Sequence, residues 1–452
     1  MLLKIEKILF YLFLILIPFQ IRVFLVNAGN EWNSIFLYLG DLVFGLVLIL
    51  WLVRINKKEI FGGLTSENRR LNLLLLIFLV IAFISIFFSP ATKISAFRWL
   101  KLVEFAALFV YVLFNYGPKA SSVLGPRTNI FKILVLGGVF QSILAIAQFI
   151  KQGSIGIKFV EAGVYNPNSP GVANFVLNGE KILRAYGSFP HPNVLAGFLL
   201  MAIFCFYGLF LQREFKGNSK GIKGKSRGLV IVSCFLVIVF GLFLTFSRTA
   251  IIIFLIISLI MFLWFGLRSP DKSRRRRMVG LFFIFLVSCL ISTAILFPYL
   301  KARFFTISLE EQAIDLRFFY NKMALSMIKD KPLLGIGIGN FVNYSKNYET
   351  YLRAAERMLE MGNQGEIKGV PDWVFQPVHN IYLLTGSEMG IIGLMVFLGF
   401  IGIILLKGFK GSSCFFFLIS CFLIIALADH YFWTLQQGGI MFWLALALAR
   451  KE

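Results

Sequence analysis

"RAYGSFPHPNVLAGFLLMAIFCFYGLFL", residues 184–211, changes character within a few positions. Arg184, Pro190, His191 and Pro192 crowd its start, and from Val194 to Leu211 no charged residue occurs. An uncharged apolar run of about 20 residues is the length that crosses a hydrocarbon core as a helix. The whole chain reads this way. Of its 452 residues 58% are hydrophobic and only 15% charged, and 52 are phenylalanine. Soluble domains are seldom more than half apolar. The composition therefore predicts an all-α polytopic membrane protein, one transmembrane domain over 1–452.

Twelve stretches carry enough apolar length to span: roughly 7–26, 34–53, 71–88, 96–116, 130–150, 193–211, 228–246, 249–267, 278–297, 381–405, 412–428 and 431–449. The first follows Lys4 and Lys7 as a signal peptide would, but no small-residue cleavage site follows it, so it reads as a retained span. With both termini in the cytoplasm, the cytoplasmic segments hold 26 of the 45 basic residues and six of the 22 acids. That asymmetry is the positive-inside rule. It accounts for the net charge of +23 without nucleic acid, and it makes the "RRRR" of 274–277 a topology anchor. All five cysteines fall in predicted spans, with no CxxC, so neither a disulfide nor a metal cluster is expected.

Two segments on the other side are long: an outer loop, 151–192, and a loop of 298–380, too long for a mere connection and so expected to be functional. Within the second, "LEEQAIDLRFFYNKMALSMIKD" and "NYETYLRAAERMLEMG" have helical apolar spacing and predict a small helical extracytoplasmic cap between spans nine and ten. Residues 343–372 resemble an insertion, which either sets acceptor choice or forms a flap. "GIGIGN" at 335–340 imitates a dinucleotide-binding glycine motif but lacks its strand–helix context. It reads as a tight loop whose amides are able to face a phosphate or sugar.

The polar residues on this outer side carry the chemistry. Arg248, in the short turn "FSRTA", lies at the membrane boundary, where a charge is costly and usually paired. It either binds substrate or snorkels to headgroups. Arg317 is a cap arginine, solvated or substrate-facing. His379 precedes the tenth span and acts there either as an interfacial cap or as a base. Arg184 contacts a headgroup or a substrate. His191, between two prolines, serves the turn, and Asn193 reads as the N-cap of the following helix. Glu388 sits one or two turns inside the tenth span and orients chemistry or ties helices. Asp41 reads as a buried tie, Glu104 as the partner of Lys101 three residues earlier, and Asp429 and His430 as helix terminators.

Arginines at a lipid boundary suit a diphosphate whose tail lies in the bilayer, because guanidinium binds phosphate bidentately and stays charged. A neutral histidine accepts a proton from a hydroxyl, and neutralised pyrophosphate is a good leaving group. Those parts belong to glycosyl transfer from a lipid diphosphate. A flippase for the same lipid-linked glycan is the alternative. Transporters favour internal repeats and midplane ionisable groups, and neither pattern is visible.

In order along the chain, "RAYGSFPHPN", "FSRTA", "LRFFYNKMALSMIKDKPLLGIGIGNF" and "HNIYLLTGSEMGIIGL" resemble the O-antigen ligase and O-antigen polymerase superfamily, over about 184–395. The resemblance implies an inverting, metal-independent glycosyltransferase in the plasma (inner) membrane, working without a cofactor on its periplasmic or outer side. The implied partners are an undecaprenyl-diphosphate-linked glycan, a glycan, lipid or protein acceptor, and membrane lipids. By similarity Arg248 and Arg317 match the diphosphate-binding arginines and His379 the catalytic base. Arg184 matches a motif arginine, and Asn193 and Glu388 complete the expected substrate-binding set.

Overall fold

A computed structural model describes residues 1–55, 66–116, 124, 126–211, 222–268, 272–305, 312–348, 353, 375–410 and 413–449. The second predicted cap helix and most of 343–372 lie outside the described residues, as does much of the basic loop 213–227.

The protein is mostly helical, and a helix lies in every one of the twelve apolar stretches. They are α1 (Leu2–Leu16), α2 (Leu39–Arg54), α3 (Ser66–Ser85), α4 (Thr92–Tyr116), α5 (Thr128–Lys151), α6 (Pro192–Leu211), α7 (Ile222–Leu244), α8 (Arg248–Arg268) and α9 (Lys272–Phe305). After α10 (Gln312–Asp330) and the short α11 (Phe341–Ser345) come α12 (Ile381–Lys410), α13 (Cys414–Ile425), α14 (Tyr431–Thr434) and α15 (Gln436–Ala449). Six of these, namely α3, α5, α6, α8, α9 and α12, are long and apolar enough to cross a membrane, judged over the described residues.

Four expectations are corrected. The stretch 7–26 is not one helix: α1 ends before Pro18, which has no N–H to continue it, and Arg22–Val26 becomes strand β1. β1 pairs antiparallel with β2 (Ile35–Tyr38), which takes the start of the predicted second span. A second hairpin, β3 (Asn174–Leu177) with β4 (Glu180–Leu183), lies in the 151–192 loop. Its turn is Asn178-Gly179, both at positive φ, a hairpin signal legible in the sequence. The protein is thus not purely α. Finally, α9 does not stop at 297 but runs through Pro298 to Phe305, as helices packed in lipid tolerate a proline.

α6, apolar on every side, is buried on every side, as such a helix must be. Glycines let its neighbours approach. A Cβ at Gly138 of α5 would lie 2.5 Å from Ala202, and one at Gly197 would lie 2.6 Å from the Tyr431 hydroxyl. Two polar clusters fasten the first helices. The Glu6 carboxylate accepts from Arg54 at 2.7 and 2.9 Å and from the Tyr111 hydroxyl at 3.1 Å, joining α1, α2 and α4. Lys101 pairs with Asp41 and, at 2.9 Å, with Glu104, while Gln436 donates to Asp41 at 2.6 Å. Asp41 and Glu104 therefore play the parts their spacing predicts.

The glycine-rich loop after α10 explains how that helix is held. Gly335, Gly337 and Gly339 all adopt positive φ, and so does Gly390 inside α12, where the helix breaks. The loop docks into that break. Ile336 N donates to Ser387 O at 2.9 Å, Gly337 N to Glu388 O at 3.0 Å, and Ile391 N to Pro332 O at 2.8 Å. These amides are therefore not turned to a phosphate or sugar. They satisfy carbonyls that the broken helix leaves orphaned.

Candidate active site

The three histidines, far apart in sequence, meet at one end of the bundle around Asp429. The His379 and His430 rings lie edge to face, 4.7 Å between centroids. His379 also stacks on Tyr320 of α10, at 6.0 Å and 18°. Arg317 lies one turn before Tyr320 on the same helix. α10 is pinned over this end by an apolar cluster that includes Leu316, Phe319, Met323, Val378 and Leu384. His379 Nδ1 is buried without a hydrogen-bond partner of normal geometry, and the nearby Pro377 carbonyl favours a proton on the ring.

The "RAYGSFPHPN" motif reaches Asp429 from the other side. Arg184, 7% exposed, donates Nε to Thr245 O at 2.8 Å and NH2 to Asn193 Oδ1 at 2.7 Å. Asn193 Nδ2 then donates to Asp429 Oδ2 at 2.8 Å. Asn193 is therefore not the helix cap. His191 is: its Nδ1 accepts from Asn193 N at 3.2 Å, and its carbonyl accepts from Val194 N and Leu195 N. The predicted turn role of His191 holds, by that mechanism. "FSRTA" is tied to the same strand end, with Ala185 N donating to Leu244 O at 3.0 Å. Phe246 sits at φ 46° in this turn, a conformation a bulky residue adopts only when its surroundings impose it. Arg248 starts α8 and adds its charge to the field around Arg184.

The electrostatics follow from burial. Burial opposes charge on the Asp429 carboxyl, but His430, His379, His191 and the Asn193 hydrogen bond together hold it below its usual range. Burial also lowers the pKa of His379 and His430, with Asp429 pulling the other way. For His191 burial acts first and Arg184 second, both lowering it. The three rings are neutral at neutral pH beside an ionised aspartate.

Two cavities flank the cluster. The smaller, about 250 Å³, is lined by Arg317, Asp429, Asn193, Ser247, Thr249 and Tyr431 among others. The larger, about 870 Å³, lies beyond His430 and contains Glu388, Arg98 and Trp32 in its lining. Glu388 is thus parted from Arg317. Its carboxylate accepts from Trp433 Nε1 at 3.2 Å and Phe341 N at 3.5 Å, so it ties α12 to the glycine loop and α14. Asp429 and His430, expected as helix terminators, do stand at a helix start, with His430 capping α14, but they also meet His379 and Asn193, which the sequence reading missed. The signal was present: an Asp-His pair in an otherwise apolar turn, on the side that holds the other histidines.

Fold and site define a polytopic helical membrane protein with a histidine, carboxylate and arginine cluster at one end of its bundle. Residues 232–398 match the O-antigen ligase family, a stretch that holds Arg248, Arg317, His379 and Glu388. That match supports the resemblance to the O-antigen ligase and polymerase superfamily and points to a membrane enzyme of the ligase or polymerase type. No curated protein matches the chain.

Proposed function

We propose that the protein transfers a glycan from undecaprenyl diphosphate to an acceptor hydroxyl, with inversion, on the membrane face away from its basic loops. The observation that carries this reading is that Arg317 and Asp429 line one cavity at the end of the bundle and both act on the neutral His379 by their charges. The orientation draws support from α9, which begins at Lys272 in the basic run and ends at Phe305, next to Arg303, whose charge is felt by Arg184. Its 34 residues extend about 50 Å at 1.5 Å each, more than a bilayer core.

In this mechanism His379 takes the proton of the acceptor hydroxyl. The oxygen forms its bond to the anomeric carbon from the face opposite the diphosphate, and the anomeric carbon–oxygen bond breaks with its electron pair going to the diphosphate. Arg248 and Arg317 neutralise that leaving charge. Asp429 stabilises the imidazolium formed on His379, as a carboxylate beside a catalytic base does. Arg184 and Asn193 act as positioning residues, because their hydrogen bonds run to Thr245 and Asp429. Glu388 acts through structure, tying α12 to the glycine loop and α14.

The test is undecaprenyl diphosphate release by purified protein in lipid, given lipid-linked glycan and acceptor without added metal. Wild type is expected to turn over, while His379→Ala loses about 10²–10⁴-fold and Arg248→Ala stays inactive. Equal product from all three discards these residues. Movement of the lipid between leaflets without release makes the protein a flippase.

A further inference from the structure

The larger cavity has no part in the cluster's own chemistry, yet it is built with care. Its walls mix flat aromatic rings with planar hydrogen-bonding groups: Trp32, Tyr38, Trp433, Arg98, Glu388 and Gln436. The polar groups are held in place. Arg98 donates NH1 to Thr434 O at 2.8 Å and NH2 to Trp32 O at 3.3 Å. Among the described residues no carboxylate is ion-paired with it. Glu388 is fixed by Trp433 and the Phe341 amide. At one end lies Glu31, whose side chain stays 38% exposed, so the cavity reaches solvent there.

That lining selects an occupant. A lipid tail gains nothing from a guanidinium and two carboxylates in its walls, since burying a charge against hydrocarbon is costly. A diphosphate would meet Glu31 and Glu388, and of the two cations in the lining, Arg98 and Lys101, the lysine is already taken by Asp41 and Glu104. A sugar uses both features, its C–H face packing on indole and phenol rings and its hydroxyls bonding carboxylate, guanidinium and amide groups. The route to the reaction is short. The His430 ring packs edge-on against Trp32 at 5.2 Å and against His379 at 4.7 Å, so it links the cavity wall to the base.

We propose that this cavity is the acceptor subsite and that it takes the terminal sugars of a glycan, presenting a hydroxyl past Trp32 and His430 to His379. This assignment rests on the transferase reading of the cluster. It names residues from the first hairpin and α4 that lie outside the stretch matching the O-antigen ligase family.

The test separates binding from transfer. Oligosaccharides are cut from the surface polysaccharide of the source cell, labelled with 2-aminobenzamide, and titrated by fluorescence polarisation into full-length protein in lipid nanodiscs. Wild type is expected to bind. Trp32→Ala and Arg98→Gln should weaken binding tenfold or more, Trp32→Phe less, and Arg317→Gln, on the other side of the histidines, less than twofold. Absence of binding to wild type overturns the proposal. So does equal binding by Trp32→Ala and Arg98→Gln, or loss of binding in Arg317→Gln as large as theirs. Should Arg98→Gln fail to fold, the Trp32 pair decides. If this pattern holds while His379→Ala makes product like wild type, the transferase site falls and the glycan site stands. A dead His379→Ala with no such binding pattern gives the reverse.

Discussion

Replacing Gly390 by alanine tests whether the loop after α10 truly seats in a break of α12. Two penalties add at this position. Gly390 has φ 69° and ψ −179°, a region held almost only by glycine that costs another residue about 1–3 kcal/mol. The new methyl would also lie 2.1 Å from Leu333 O and 2.3 Å from Leu333 C. Those are backbone atoms, which cannot rotate away, so the loop must move, at about 1–3 kcal/mol by the usual cost of overpacking. The total is roughly 2–6 kcal/mol. The contact is reciprocal: a Cβ at Gly335 would lie 2.4 Å from Glu388 C. Two controls isolate the terms. Gly171 has φ 78° with open space around it, and Gly402, within α12, has open space and no positive φ. Thermal unfolding in detergent should rank Gly390→Ala and Gly335→Ala far below wild type, Gly171→Ala slightly below, and Gly402→Ala level with it. The first two should also lose transfer activity, because the same loop anchors α10 with Arg317 and Tyr320. A Gly390→Ala protein no less stable than Gly171→Ala would refute the docked loop.

Because burial lowers the pKa of His379 and His430 below the ordinary 6.5, the unfolded chain binds more protons than the folded one as pH drops beneath that value. Stability should be full above about pH 6.5 and fall below it, read as melting temperature against pH, and the acidic limb of kcat/KM should lie under 6.5. Asp429→Asn removes the charge that raises His379. Its acidic limb should shift to still lower pH while kcat drops at least about tenfold, and an unmoved limb would exclude Asp429 as the partner of the base. Glu6→Ala takes from Arg54 the carboxylate now at 2.7 Å but leaves it Asn115 at 2.6 Å, and should cost about 1–3 kcal/mol. The kcat of the folded fraction should stay unchanged, since that cluster joins α1, α2 and α4 rather than the site.

The helical, lipid-facing character of the chain was legible residue by residue. Hydrophobic runs and the sidedness of lysine and arginine are local properties, and so are the Glu104–Lys101 spacing and the α10 periodicity. They need no knowledge of what packs against them. Arg248, Arg317 and His379 were singled out because a polar group near a predicted lipid boundary already asks for a reason. What the tertiary structure decided is where side chains point once helices pack. Asn193 reads as a cap, yet it turns to Asp429 because His191 does the capping. The glycines of 335–339 read as an anion loop, yet they fill a break in α12 fifty residues on. Asp429 and His430 read as ends of helices, which does not show that they face His379, and the cavity holding Trp32, Arg98 and Glu388 was invisible, because its walls come from five separate parts of the chain. A hydrogen bond between residues 236 positions apart, as from Asn193 to Asp429, leaves no trace in local pattern. Only the packing of α6 against the last turn of the bundle creates it.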